Sequence, residues 1–147
     1  MGFSVSGSAA LIFVAAFIGF GMFYTSAANS FEQVSDARDA RAEQSLERTN
    51  TAIALTDVTY NSTAQSLNLT VENTGANELT VSDVDVLADN TYLTGYRTAV
   101  EGDTATDLWL PEEQLVVNAS VSSDPGRATV VTGPGISVTE TTTVVTA

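Results

Sequence analysis

From Met1 to Phe31 the chain carries no charged side chain, and within that stretch Ala9 to Ala28 reads AALIFVAAFIGFGMFYTSAA. Twenty helical residues rise about 30 Å, one hydrocarbon thickness of a membrane. Leu11, Ile12, Phe13, Val14, Phe17 and Ile18 leave no polar face. That pattern argues against an amphipathic helix lying on a soluble core. Gly19 and Gly21 are tolerated in membrane helices, and Tyr24 stands where an interfacial aromatic belongs. Ala15 and Gly19 form a small-xxx-small pair through which two such helices can approach closely, although that spacing also arises by chance.

Three other readings of this stretch are weaker. A cleaved secretory signal would place Ser26 and Ala28 before a cut at Asn29, but the sequence has no basic n-region. Met1-Gly2-Phe3-Ser4-Val5-Ser6 formally fits the myristoylation pattern, which a spanning helix makes redundant. A pilin-like leader would need a basic stretch before Gly2 and a glutamate five residues after it; the fifth residue is Gly7.

Every charged side chain, 18 acidic and 5 basic, lies from Glu32 onward, for a net charge of −13. The bases are all arginine, and lysine, histidine and cysteine are absent. This inventory removes the usual ligands of zinc, iron–sulfur and haem sites, so no metal or cofactor is expected. It removes cysteine nucleophiles, disulfides and histidine bases. It also disfavours nucleic acid as a partner, because acidic surfaces repel phosphates. Acidity without lysine points to a halophile's protein. In molar salt the Debye length falls to about 3 Å, so a dense acidic surface no longer repels itself.

Asn29 to Asn50 has no Gly or Pro and is rich in Ala, Glu, Gln and Arg, which predicts a helical stalk continuing out of the membrane. At about 100° per residue, Phe31, Val34, Ala42, Leu46 and Ile53 share one sector with Ser35 and Thr49. Glu32, Asp36, Asp39, Glu43 and Glu47 form an acidic stripe beside it. The stripe reads as a solvated face. Phe31, Val34 and Leu46 are the better candidates for helix–helix packing, in a homodimer or oligomer.

From Thr51 the composition turns to Thr, Val, Asn, Asp and Gly. Leu67, Leu69 and Val71 alternate with Asn68, Thr70 and Glu72, a half-buried strand. Asn73 to Asn77 is a turn. The phase of Val84 and Val86 is shifted from that of Leu79 and Val81, predicting a bulge or bend near Asp83. Further strands are predicted over 53–60, 91–100, 115–121, 128–132 and 136–146, with turns at Asp124-Pro125-Gly126 and Gly133-Pro134-Gly135. Seven or eight short strands without helices indicate an antiparallel, immunoglobulin-like β-sandwich. The expected organisation is thus α plus all-β: a transmembrane helix over 1–28, a stalk over 29–50 and a sandwich over 51–147.

Three sequons lie in the sandwich, at Asn61, Asn68 and Asn118, the latter two on the solvent faces of their strands. They are candidate N-glycosylation sites. No catalytic constellation is visible, so no enzyme is expected. Glu112 beside Glu113 reads as surface charge rather than an acid–base pair. Asp83, Asp85 and Asp89 do not follow the twelve-residue calcium-loop pattern.

The stretch MGFSVSGSAALIFVAAFIGFGMFYTSA, the acidic-polar helix, LNLTVENTGANEL, LWLPEEQL and ATVVTGPGIS together resemble the archaellum accessory FlaF family of haloarchaea, over nearly the whole chain. The first stretch is the most specific part; the VENTG turn is widespread among archaeal filament and pilus proteins. The resemblance implies a single-pass protein of the cytoplasmic membrane with its β-sandwich outside, beneath the S-layer. It implies a stator role in the archaellum, with the S-layer protein and a FlaG-like protein as partners. Arg38, Arg41 and Arg48 follow the apolar helix and weakly favour the opposite orientation, which acids nearby offset. The alternative is a FlaG-like or pilin-like subunit of an archaeal filament.

Overall fold

The computed structural model describes residues 3–146, with side-chain burial from residue 6 onward. The myristoylation and leader readings at Met1 and Gly2 lie outside the described residues. The chain divides into two compact units between Glu43 and Gln44.

The first unit is the greater part of one unbroken helix, α1 (Phe3–Asn50). No proline interrupts it, and hydroxyls along it bond back to its own carbonyls. Thr25 Oγ1 donates to Gly21 O at 3.0 Å and Ser30 Oγ to Ser26 O at 2.9 Å. Such back-bonding keeps polar side chains from demanding water along an apolar surface. Among the described residues, α1 is the one helix long and apolar enough to cross a membrane, by length and composition.

The second unit begins with the last two turns of α1 and continues as eleven strands: β1 (Ile53–Asn61), β2 (Ser66–Asn73), β3 (Leu79–Thr80), β4 (Asp85–Ala88), β5 (Thr91–Tyr92), β6 (Arg97–Val100), β7 (Leu108–Trp109), β8 (Gln114–Ser120), β9 (Arg127–Val131), β10 (Ser137–Thr141) and β11 (Thr143–Val145). One sheet has the order β11-β1-β2-β8-β6, the second β10-β9-β4-β5, and β3 pairs with β7 in a short ribbon. All ladders are antiparallel except β1 with β11. The fold is the expected helix followed by a β-sandwich.

Alternation explains the core. In β2, Leu67, Leu69 and Val71 are fully buried and the residues between them half-buried. Leu115, Val117 and Ala119 repeat the pattern in β8. Val86 and Ala88 of β4 and Ala128 and Val130 of β9 supply the second sheet's inner face, and Trp109 is fully buried. Each large side chain of this kind contributes about 1.5–3 kcal/mol over its exposed state.

Two strand assignments differ from the sequence reading, and one expected bend takes a definite form. The stretch 91–100 is two strands in different sheets, β5 and β6, because Gly95 takes φ +78 and breaks the extended run. The stretch 136–146 is also two strands. It changes sheets at Thr142, whose backbone N donates to Gly126 O at 3.3 Å. The bend near Asp83 is a 3₁₀ turn, Val81–Asp83, which resets the phase so that Val81, Val84 and Val86 are all buried.

Candidate interaction surfaces

The apolar surface of α1 is exposed along its length. Leu11, Phe17 and Phe23 are 73%, 79% and 70% exposed, and Ile12, Phe13, Phe20 and Met22 are similar. Ala15 is exposed, and a Cβ added at Gly19 would meet nothing within 4 Å. Phe31 and Val34 are exposed in the first unit, and Leu46 is exposed in the second. The structure thus leaves all five packing candidates accessible without bringing them together.

The end of α1 is built into the sandwich unit. The final carbonyls of a helix have no intrahelical partner. Here the turn after β2 supplies donors. Ala76 N and Asn77 N donate to Asn50 O at 2.8 and 3.3 Å, and Thr74 N donates to Ala52 O at 3.0 Å. Glu47 O accepts from Thr51 Oγ1 at 2.8 Å and from Asn77 Nδ2 at 3.4 Å. From the opposite sheet's loop, Pro134 O accepts from Arg48 Nε at 3.1 Å.

Asn73 organises that turn. It continues the inward phase of Leu67, Leu69 and Val71 and is fully buried. Its Nδ2 donates to Asn77 O at 2.9 Å and to Trp109 O at 3.3 Å, while its Oδ1 accepts from Gly75 N at 3.1 Å. Its backbone closes on the 110–113 turn, with Asn73 N donating to Glu113 O and Glu112 N to Asn73 O. Trp109 Nε1 donates to the same Glu113 O at 2.9 Å. Gly75 is obligatory for a steric reason: a Cβ there would lie 2.6 Å from both Ala52 N and Asn50 O. The VENTG and LWLPEE segments are therefore two halves of one joint that seats the end of the helix. The sequence reading placed Asn73 only at the start of a turn. The signal for its burial was the uninterrupted alternation from Leu67.

Beside the joint lies an open, polar cleft of about 680 Å³ lined by Glu47, Arg48, Glu78, Asp83 and Asp85, among others. No group of three or more His, Cys, Asp or Glu side chains is arranged to hold a metal ion among the described residues. Asp83, Asp85 and Asp89 are separated by their roles. Asp83 ends the 3₁₀ turn. Asp85 accepts from Tyr92 Oη at 2.9 Å. Asp89 accepts from Gly126 N and Arg127 N at 3.1 and 3.2 Å. Glu112 and Glu113 serve the 110–113 turn: Glu113 Oε2 accepts from Leu110 N at 2.8 Å, and Glu112 takes φ +69.

Two tyrosines have perturbed acidity. The hydrogen bond to Asp85, and then that carboxylate's charge, hold Tyr92 above its usual range. Burial, and then Asp85, do the same for Tyr96, whose hydroxyl donates to Val84 O.

The sequons fall into two settings. Asn68 and Asn118 face each other in the β2–β8 register, and Asn118 Nδ2 donates to Asn68 Oδ1. Asn61 ends β1, and its Oδ1 accepts from Thr63 N and Ala64 N at 3.0 and 2.8 Å.

No family model matches this sequence, and no curated protein matches it. Among solved structures, part of the chain is similar to the archaellum periplasmic stator protein FlaG from Sulfolobus acidocaldarius. The identity is 13% and the TM-score 0.46, with 61% of this chain and 97% of that one covered. The archaellum periplasmic stator protein complex FlaF and FlaG from the same organism is similar at 14% identity and TM-score 0.39, covering 59% and 89%. At these overlaps neither likeness transfers a role to this chain.

Proposed function

We propose that this chain is a non-enzymatic, membrane-anchored component of an archaellum motor, acting as a stator that holds the S-layer through its β-sandwich. In this reading residues 1–28 cross the cytoplasmic membrane, 29–50 form the stalk and 51–147 stand outside the cell in high salt. A FlaG-like protein is a partner, and the exposed Ala15, Gly19, Phe31, Val34 and Leu46 are contact points for neighbouring helices.

The observation that carries the reading is the joint at the end of α1. A tethered binding module needs only a flexible linker between anchor and domain. Here Asn50 O, Glu47 O and Arg48 are engaged by two different loops of the sandwich unit. Breaking several hydrogen bonds of about 1 kcal/mol each, together with their buried Asn73 support, opposes a free swivel at that point. A fixed element of a rotary machine needs such a connection, since torque without a fixed reference does no work on the medium. The sequence resemblance supplies the identity of the machine.

Cells carrying the chain without residues 51–147 keep the apolar helix and lose the grip. They are expected not to swim, even where filaments assemble. Wild-type swimming in that strain refutes the stator role.

A further inference from the structure

The three sequons are equivalent in sequence but not in the fold. We propose that Asn61 is the N-glycosylation site of this chain, and that Asn68 and Asn118 form a cross-strand amide pair that stays unmodified. The proposal rests on the exterior placement of the sandwich given above.

N-glycosylation joins Asn Nδ2 to C1 of a sugar carried on a lipid phosphate. The N–C1 bond forms and the C1–O bond to phosphate breaks. The lipid phosphate leaves with the electron pair, and the amide proton passes to a base of the transferase. The acceptor segment must therefore enter another protein's active site with its Nδ2 free.

Asn68-Leu69-Thr70 and Asn118-Ala119-Ser120 do not meet that requirement. β2 is paired on both sides, to β1 and β8, and β8 is paired to β2 and β6. Lifting either sequon out would break two ladders and expose Leu69 or Ala119, both core residues. In addition, the Nδ2 of Asn118 is committed to Asn68 Oδ1. A sugar on either asparagine would stand directly over its cross-strand neighbour.

Asn61-Ser62-Thr63 is placed differently. It opens the β1–β2 connection, and Ser62, Thr63, Ala64 and Gln65 are all exposed. Two backbone N–H groups hold Asn61 Oδ1, while the described hydrogen bonds of this side chain leave Nδ2 uncommitted. Donors on the carbonyl oxygen draw electron density from the carboxamide and make its Nδ2 proton easier to lose. Asn61 itself is half-buried at the last rung of β1, between Val145 of β11 and Ser66 of β2, so presenting its carboxamide frays only the end of the strand and lifts no core residue.

The test uses the full chain purified from the cells that naturally make it, with glycopeptide mass analysis of all three sites. Wild type is expected to carry sugar mass on Asn61 only. Asn61→Gln and Thr63→Val should each lose all of it, and the double variant Asn68→Gln/Asn118→Gln should retain it in full. Sugar on Asn68 or Asn118 overturns the proposal. So does an unmodified wild-type chain, and protease added to the same intact cells then separates two failures. An unmodified sandwich that is digested refutes Asn61 as the site alone, whereas an unmodified sandwich that is protected refutes its exterior placement as well.

Discussion

Leu11 and Leu67 are the same residue under opposite rules. Leu11 is 73% exposed and Leu67 fully buried, and each is typical of its region. In the first half of α1 the apolar side chains point outward all round the helix, a surface suited to apolar surroundings rather than to water. In the sandwich they point inward at every second residue, so the surroundings are water. The charge distribution repeats the lesson, with all charged side chains from Glu32 onward. One chain is thus matched to two solvents, and perturbations of each region should have separable effects.

The largest separation is expected from salt. Lowering salt from molar to about 0.1 M lengthens the Debye length from about 3 to about 10 Å and restores repulsion among the acids. The sandwich of the detergent-solubilised chain should lose its cooperative melt while α1 keeps its far-ultraviolet helical signal. A melting temperature unchanged across that range would separate the acidity from salt adaptation.

Next comes the matched pair Trp109→Ala and Phe17→Ala. The first empties a fully buried site and should cost the sandwich about 3–5 kcal/mol. The second removes an exposed side chain of α1 and should leave the sandwich's melting temperature unchanged in detergent. A comparable loss from both would erase the distinction between the regions.

Gly75→Ala probes the joint. A Cβ 2.6 Å from two backbone atoms forces the turn away from the end of α1, at about 1–3 kcal/mol. Hydrogen exchange should report it as faster exchange at Ala76 and Asn77, whose N–H groups are bonded to Asn50 O. Unchanged exchange there would mean the joint is not closed by these bonds.

The smallest effect is expected at Tyr96. Tyr96→Phe removes the hydroxyl that donates to Val84 O and should cost about 1 kcal/mol at neutral pH. Both Tyr92 and Tyr96 ionise later when folded than when unfolded. Their contribution is therefore complete below the ordinary tyrosine range near pH 10 and is lost as pH rises through the raised folded values. The alkaline fall in melting temperature should be shallower in the variant than in wild type.

What was readable in the sequence follows from what is local. The membrane-length helix and the strand containing Leu67, Leu69 and Val71 are set by near-neighbour periodicity, and both are observed. The change of sheet at Thr142 was hidden, because a run of threonines carries no inward–outward pattern to mark it. The facing of Asn68 and Asn118 depends on a pairing across 50 residues, which no local pattern encodes. Burial of Asn73 could be extrapolated from the alternation, but its partners Trp109 and Glu113 could not.

An anchor and a filament subunit would use the exposed apolar helix differently, one against lipid and the other in a polymer core. Shearing cells and separating membranes from detached appendages, both in molar salt, distinguishes them by following this chain. Retention in the membrane fraction, with the chain absent from purified filaments, is the expected result. Recovery of the chain in bulk with the sheared filaments would contradict the anchored stator and establish a polymer subunit in its place.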